Sequence, residues 1–408
     1  MFAGSLFRLL VGVILVSSAT FRVSAQIDPE PRQLIQLGYN QMVTGKSPIA
    51  GYAFYYWNQP EFVRTNLTMR LALAPVYLDS ELGIKGALGD NTDIGIGLAG
   101  GGFADSYSEV RRGNYLKRES FTGHGGEISA NLYHLFNPGD RIPLSGILRV
   151  AAHQSFYDAD KDTAAGFQVP DNQTVVHLRS GLRFGGREPI LAPDLAMEIS
   201  VWQETQFRTE AGDYGFAGDR ALEGNSHLFW GRLLLIYTLE EWKHTLNFSL
   251  TGGGSINADR FNAYRLGATL PLASEFPLDL PGYYYQEISA ERFGLFNVQY
   301  SLPLDSKRRW NLTAYGSTAF VDYLSGLDQP GNWHSGAGGG VMYRAPSGSY
   351  LIMAGYAYGF DTIRSDGRGS SSIGILCQFD LNAAGKAYKA RQDPDAAPRS
   401  RGLFRIFN

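Results

Sequence analysis

Alternating residues in neighbouring segments of the sequence form a charged set whose chemistry would be ion binding or solute selection. The basic members come before the acidic ones along the chain, so a basic wall would face an acidic wall. Opposite charges on adjacent strands also pair simply to neutralise one another, and this second interpretation stays open for each residue. The set comprises Arg149, His177, Arg179, Arg183, Glu198 and Glu204.

Catalytic patterns give little support for an enzyme. The sequence has no Gly-x-Ser-x-Gly elbow, no His-Glu-x-x-His pair and no phosphate-binding loop. His334 and Ser335 precede a run of glycines and could belong to a lipase of the outer membrane, but that chemistry needs a third group to orient the pair. We therefore expect no enzymatic activity, no cofactor and no metal ion.

The elements that position these residues are predicted to be strands of a transmembrane antiparallel β-barrel. Apolar and polar residues alternate along much of the chain, as in residues 173–184, 245–251, 296–302 and 373–381. Short turns also alternate with longer polar loops, which is typical of outer-membrane barrels. A soluble β-sandwich alternates too, but its second face would carry more charge than the Ser, Thr, Asn, Gln and Gly found here. A barrel also leaves no unpaired sheet edge in the membrane.

The strand count is predicted to lie between 14 and 16, within a barrel over residues 49–382. Fourteen segments have the alternating pattern. Residues 66–88 are too long for one ordinary strand, and Pro75 marks either a bulge or a turn that splits them. Sixteen strands would require one more, for which residues 34–45 are the candidate.

Composition excludes several classes of protein. The 408 residues include 49 Gly, 24 Phe, 23 Tyr and 6 Trp, with 18% charged residues, which excludes a disordered chain. After the first 25 residues no apolar run approaches the length of a membrane-spanning helix. The single cysteine, Cys377, excludes an internal disulfide. The net charge of -3 gives no reason to expect nucleic acid as a partner.

The two ends of the chain predict export and a location in the bacterial outer membrane. Residues 1–25 have the form of a signal peptide cleaved near Ala25. Residues 26–48 are expected to form a periplasmic linker or short helix. Gly374 and Phe379 lie in a final strand that looks like an outer-membrane targeting signal. The basic tail, residues 383–408, is either solvated or contacts a periplasmic partner or cell-wall polymer, whereas the barrel itself contacts outer-membrane lipid.

One connection, residues 255–289, departs from the pattern of polar loops. It is long and rich in aromatic and aliphatic residues. Loops of this length are usually functional or flexible, and the apolar content indicates packing against another surface. The barrel interior is the surface available, so we expect this loop to fold inward and plug the lumen.

The same region resembles the bacterial surface antigen barrels, which include outer-membrane protein assembly factors and two-partner secretion transporters. The resemblance rests on a Phe-x-x-x-Arg-Leu-Gly element, a Leu-x-Gly-Tyr element followed by an acidic residue, and the strand of residues 296–304. It implies that the sixth extracellular loop folds into the lumen and contacts the inner wall. Pro281 stands where the family usually has arginine, and Arg265 or Arg260 are the candidates to replace it. The residues implicated in the plug are Arg265, Gly267, Gly282, Tyr283 and Glu287.

The resemblance implies a role in inserting or translocating protein or lipid across the outer membrane. Members of the family usually carry periplasmic polypeptide-transport repeats before the barrel. Only about 25 residues separate Gln26 from the first strand that we recognise, so a barrel-only member is expected. The alternatives are a passive porin for small solutes and, with less support, an outer-membrane lipase.

Overall fold

A computed structural model describes residues 28–268, 274–365 and 367–392. They form one closed antiparallel barrel in which each of sixteen strands pairs with the next and the last pairs with the first. This confirms the all-β transmembrane barrel and sets the strand count at the upper end of the predicted range. The strands are β1 Arg32–Met42, β2 Ala50–Pro60, β3 Leu67–Ala74, β4 Tyr77–Ile84, β5 Thr92–Gly101, β6 Phe121–Leu135, β7 Leu144–Ala159, β8 Gln173–Gly186, β9 Leu195–Arg208, β10 Asn225–Thr238, β11 Thr245–Ile256, β12 Ile288–Pro303, β13 Trp310–Tyr323, β14 Trp333–Arg344, β15 Tyr350–Arg364 and β16 Gly367–Asp380.

Strand β1 corrects the expectation of a linker or short helix over residues 26–48. It pairs with β2 on one side and with β16 on the other, from Leu34 opposite Asp380 to Met42 opposite Ser372. The barrel therefore begins at Arg32, not at residue 49, and the extra strand considered within residues 34–45 is confirmed. The expectation was wrong because β1 carries apolar side chains on both faces, which gave the apolar residues a loosely helical spacing.

The other additional strand comes from the long segment around Pro75. Strands β3 and β4 pair with each other, and residues 75 and 76 connect them in a tight turn. Pro75 therefore marks a turn, which is the second of the two possibilities given by the sequence. Proline fits at this position because it has no N–H to contribute to the strand ladder.

The outer face of the barrel is apolar and exposed, while the inner face is largely polar. Leu178 and Leu182 on β8 point outward, and Phe248 and Leu250 do the same on β11. The residues between them point into the lumen, as the alternation predicted. A belt of exposed apolar side chains around a closed barrel is the surface that lipid covers.

The connections differ in length between the two ends of the barrel. The long-loop end carries residues 102–120, 160–172, 209–224, 257–287 and 324–332, and the short-turn end carries both described chain ends. The long loops pack together over a cluster of aromatic residues that includes Tyr107, Phe121 and Tyr214. Small elements within these loops are the strands Val110–Arg111, Asn114–Tyr115, Phe167–Gln168, Asp213–Phe216, Arg220–Ala221 and Tyr264–Leu266 and the 3-10 helix Lys117–Glu119.

Helix α1, Leu381–Gln392, follows β16 directly at the short-turn end. The Asn382 side chain donates a hydrogen bond to the carbonyl of Pro31 and so holds the helix beside the start of β1. No helix within the described ranges is long and apolar enough to cross a membrane. The predicted signal peptide and most of the predicted basic tail lie outside the described residues, so those predictions stand as they were.

Candidate functional site

The barrel lumen contains a cavity of about 3040 Å³. Inward-facing residues of most strands line it, together with several short turns. The loop between β11 and β12, residues 257–287, also lines it through Glu275, Asp279 and Tyr285. This loop, hereafter the plug loop, therefore reaches into the lumen.

Apolar burial explains why the plug loop folds inward. Leu266, Leu280 and Tyr283 are fully buried and pack together with residues of β12 and β13. Tyr264–Leu266 adds a short strand to β12, and Gly267 links the two halves of the loop by accepting from Leu280 N at 2.8 Å and donating to Leu278 O at 3.1 Å. Leaving this apolar surface in water would be costly, so the barrel interior is its stable location.

One docking point of the plug loop lies on the wall formed by β14, β15 and β16. Gly282 has φ +81, a left-handed conformation that favours glycine, and it lies so close to β15 that a Cβ atom would overlap the Gly359 backbone. The Ser370 hydroxyl on β16 donates to the Gly282 carbonyl. The loop approaches closely here because Gly336 on β14 and Gly359 leave room for it.

A buried ion pair strengthens this docking. Glu287 accepts two hydrogen bonds from Arg364 on β15, at 2.7 and 2.9 Å, and a third from the Tyr284 backbone N–H at 2.7 Å. The Arg364 guanidinium lies 3.7 Å from the centre of the Tyr284 ring. Burial raises the pKa of Tyr284 above its ordinary value, so the ring stays neutral beside this pair.

The ion pair also corrects the expectation that Arg265 or Arg260 would replace the family's arginine. Arg265 donates to the carbonyls of Gln286 and Ser108, and Arg260 lies 3.4 Å from Glu109 in another long loop. Neither carries the contact between loop and wall. The plug loop supplies the acid and the wall supplies the base.

His334 and Ser335, the pair considered for a lipase, belong to different hydrogen-bond networks. The His334 ring lies between two tyrosine hydroxyls, with Nδ1 3.2 Å from Tyr283 and Nε2 2.5 Å from Tyr323. The Ser335 hydroxyl donates to Asp361 at 2.6 Å. Both His334 nitrogens are thus engaged by tyrosine, and the serine is bonded to a carboxylate instead of to the imidazole that would activate it.

A second docking point lies on β9 and β10. The Phe276 ring is 5.4 Å from Trp202 and 5.8 Å from Trp230, at steep angles to both, and the Arg232 guanidinium lies 4.5 Å from its centre. Arg232 also donates to the Glu275 carbonyl at 2.7 Å. The plug loop therefore contacts two separate stretches of the barrel wall.

The predicted charged set lies in the lumen wall, where its members pair across adjacent strands. Glu204 on β9 lies 3.0 Å from His177 Nδ1 and accepts from Arg179 at 2.6 Å. Arg149 pairs with Glu127 on β6. These contacts neutralise charge within the wall.

Glu198 links the charged wall to the plug loop. It accepts from Arg232 on β10 at 2.6 and 3.1 Å and lies 3.7 Å from Arg183, and Arg183 also pairs with Glu275 of the plug loop. Sequence reasoning missed Arg232 and Phe276. The sequence did carry a signal for Arg232. It alternates with outward-facing apolar residues of β10, and this alternation puts its charge on the inner face.

The two residues of the predicted targeting signal lie on opposite faces of β16. Gly374 lines the lumen cavity. Phe379 shares the outer face with Ile373 and Ile375, which are about half exposed. This placement puts an aromatic side chain on the lipid-facing side close to the short-turn end, and the targeting role stays a prediction.

Comparison with known proteins places the fold among outer-membrane barrels. No family model matches the chain, and no curated protein matches it. Among solved structures, CdiB from Acinetobacter baumannii aligns with a TM-score of 0.54 at 11% identity, covering 85% of this chain and 60% of that one. CdiB from Escherichia coli aligns with a TM-score of 0.56 at 11% identity, covering 86% and 63%.

BamA from Haemophilus ducreyi lacking POTRA domains 1-3 gives a TM-score of 0.52 at 9% identity, covering 85% of this chain and 70% of that one. The chain thus spans less than two thirds of the two CdiB structures. At these identities the likeness is one of fold. It supports an outer-membrane barrel and does not by itself assign an activity.

Proposed function

We propose that this barrel inserts or translocates protein or lipid across the outer membrane, with the plug loop as a mobile closure. The observation that carries the proposal is the double docking of the plug loop. Pro281 to Glu287 contact β14 to β16, and Glu275 and Phe276 contact β8 to β10. The fold likeness to CdiB and BamA and the sequence resemblance to surface antigen barrels support the same role.

The chemistry of the second contact suits a closure that can open. A passive pore needs a standing water-filled passage, whereas here a loop with a buried apolar core fills part of the lumen. At the second contact Glu275 is only half-buried, so water is available to both partners when the loop leaves. The second contact can therefore separate without leaving the Glu275 carboxylate buried and unpaired.

Single-channel conductance in a planar bilayer tests the proposal. The refolded mature barrel is compared with a version that lacks residues 257–287. We expect small or flickering conductance from the intact barrel and large steady steps from the deletion, because the lumen would then be open. Steady and equal conductance from both forms would contradict the proposal.

A passive porin is the second candidate, and the charged lining of the large cavity favours it. Arg179 and Arg183 lie on this lining beside Glu198 and Glu204. If the lumen conducts ions through this region, changing both arginines to glutamate shifts the selectivity toward cations. Unchanged reversal potentials under a salt gradient would remove the porin candidate.

A further inference from the structure

The connection between β8 and β9, residues 187–194, folds into the barrel at the short-turn end. All of its residues line the lumen cavity. Leu191 is 8% exposed and packs with Met342 on β14 and Leu351 on β15. This segment, hereafter the inward turn, therefore crosses the short-turn end of the lumen to reach a distant part of the wall.

The wall contacts the backbone of the inward turn as well as its leucine. The Leu191 N–H donates to the Gln378 side-chain oxygen on β16 at 3.2 Å, and Arg344 on β14 donates to the Ala192 carbonyl at 3.1 Å. One side chain thus accepts from the Leu191 N–H, and another donates to the carbonyl of the following residue. Contacts of this kind recognise any polypeptide backbone and leave side-chain preference to the apolar pocket.

The inward turn is held at its ends by contacts that are easily broken. Glu188 lies 3.6 Å from Arg32 on β1, and Asp194 lies 2.8 Å from Arg308. Both carboxylates are about half exposed, so these ion pairs contribute little to stability. The Leu191 contact and the two backbone hydrogen bonds are the main attachment.

We propose that the inner wall of β14 to β16 at the short-turn end is a binding site for unstructured polypeptide segments, and that the inward turn is its built-in occupant. The site would take a branched aliphatic side chain among Met342, Leu351, Met353 and Leu376. Gln378 would accept from the N–H of that residue, and Arg344 would donate to the carbonyl of the residue after it. An acyl chain has no N–H and C=O pair to match these two groups, which favours polypeptide over lipid.

This inference deepens the proposed function, on which its physiological meaning rests, by locating a site in the lumen where a polypeptide would bind. A polypeptide entering from the short-turn end would replace the inward turn at the site. Because the inward turn is tethered, it competes at a high effective concentration, on the order of millimolar. Weakening its attachment should therefore expose the site to added peptide.

The test uses the full refolded barrel and a fluorescein-labelled octapeptide with the sequence of residues 187–194. Leu191→Asp removes the apolar anchor of the inward turn and leaves the wall intact. We expect fluorescence anisotropy to report saturable binding to the Leu191→Asp variant at least about 10-fold tighter than to the unmodified barrel. The matched control is the same peptide with aspartate in place of its leucine, which should not bind.

Two further variants locate the bound peptide. In the Leu191→Asp background, Leu351→Asp should reduce binding at least about 10-fold, because it places a charge in the apolar pocket. Gln378→Ala with Arg344→Ala removes the backbone partners without adding a charge and should also weaken binding. Heat-modifiable mobility in gel electrophoresis establishes that each variant is a folded barrel.

A folded Leu191→Asp variant without saturable peptide binding would overturn the inference, as would binding that is unaffected by the wall substitutions. Tighter binding of a lysophospholipid than of the octapeptide would overturn the choice of polypeptide. Peptide binding does not depend on plug-loop movement, so it can fail or succeed independently of the conductance experiment. The two proposals are therefore tested separately.

Discussion

Glu287 and Arg364 form a two-pronged ion pair although 77 residues separate them in the sequence. Their side chains are 0% and 2% exposed, and the two oxygen–nitrogen distances are 2.7 and 2.9 Å. The pair joins the last residue of the plug loop to the last residue of β15 at the long-loop end. It thus ties the position of the plug to the register of a barrel strand.

Glu287→Ala should destabilise the barrel by about 3 to 5 kcal/mol, because it leaves the Arg364 charge buried and unpaired. Urea unfolding of the refolded protein in detergent measures this loss. Asp322→Ala is the matched control, since it breaks an exposed pair with Arg292 and should cost less than about 1 kcal/mol. The exchange Glu287→Arg with Arg364→Glu should restore part of the stability. Equal losses in the Glu287 and Asp322 variants would show that the buried pair has no special role.

Gly282→Ala should prevent normal docking of the plug loop and raise conductance. A Cβ atom there overlaps the β15 backbone in addition to straining a left-handed residue. Gly348 has φ +72 but open space around its Cα, so Gly348→Ala introduces the strain alone, about 1 to 2 kcal/mol. Single-channel recordings should distinguish the two variants. If Gly348→Ala raises conductance equally, steric contact at Gly282 is not the cause.

Phe276→Ala should release the plug loop from β9 and β10 and expose Trp202 and Trp230. The partly buried phenylalanine ring contacts both indoles at a steep angle, so removing it opens space beside them that water can enter. Acrylamide quenching of tryptophan fluorescence should therefore increase. Phe207 on β9 is half exposed on the outer face, and Phe207→Ala is the control that should leave quenching unchanged. The same quenching in all three proteins would contradict the assigned contact.

Alkaline pH should loosen the packed long loops. Burial raises the pKa values of Tyr107 and Tyr214 above the ordinary 10.0, so the folded loops hold these protons more tightly than the unfolded chain does. The stability that results is complete below pH 10 and is lost as the pH rises from 10 toward the folded pKa values.

Ultraviolet absorbance of tyrosinate measures this directly. We expect a late group of tyrosines that ionise together with a rise in conductance, and Tyr214→Phe should make that late group smaller. Titration of all tyrosines in one step near pH 10, with unchanged conductance, would show that the loop tyrosines do not stabilise the closed end.

Much of the barrel followed from local sequence because a strand with one lipid face imposes a period of two. Leu178 and Leu182 alternate with Arg179 and Arg183, and this pattern alone places the charges in the lumen. Strand β1 was only an optional extra strand within residues 34–45, because Leu34 faces inward and Leu37 faces outward and its alternation is weak. Its pairing with β16 depends on closure of the whole barrel, which no local window contains.

The candidate site was less predictable because its partners are far apart in sequence. Glu287 was recognised from the family resemblance, but Arg364 was not, since neither the spacing nor the period links them. A β-bulge after Gly359 shifts the register of β15 and turns Arg364 inward. Strict alternation from the exposed Phe360 would have placed Arg364 on the outer face. The inward turn was not recognisable either, because its prolines and short length also fit an ordinary turn.

The unequal heights of the barrel wall have a consequence for the surrounding bilayer. Strands β3 and β4 have 8 residues each, whereas β6 and β7 have 15 and 16. A tilted strand needs about 9 to 11 residues to cross the hydrocarbon layer, so this side is slightly too short. The apolar, exposed Leu73, Val76 and Tyr77 surround the turn between them and meet lipid at its rim. The bilayer beside β3 and β4 must thin to match these short strands. Because it is already thinned there, further thinning of the bilayer costs least on this flank.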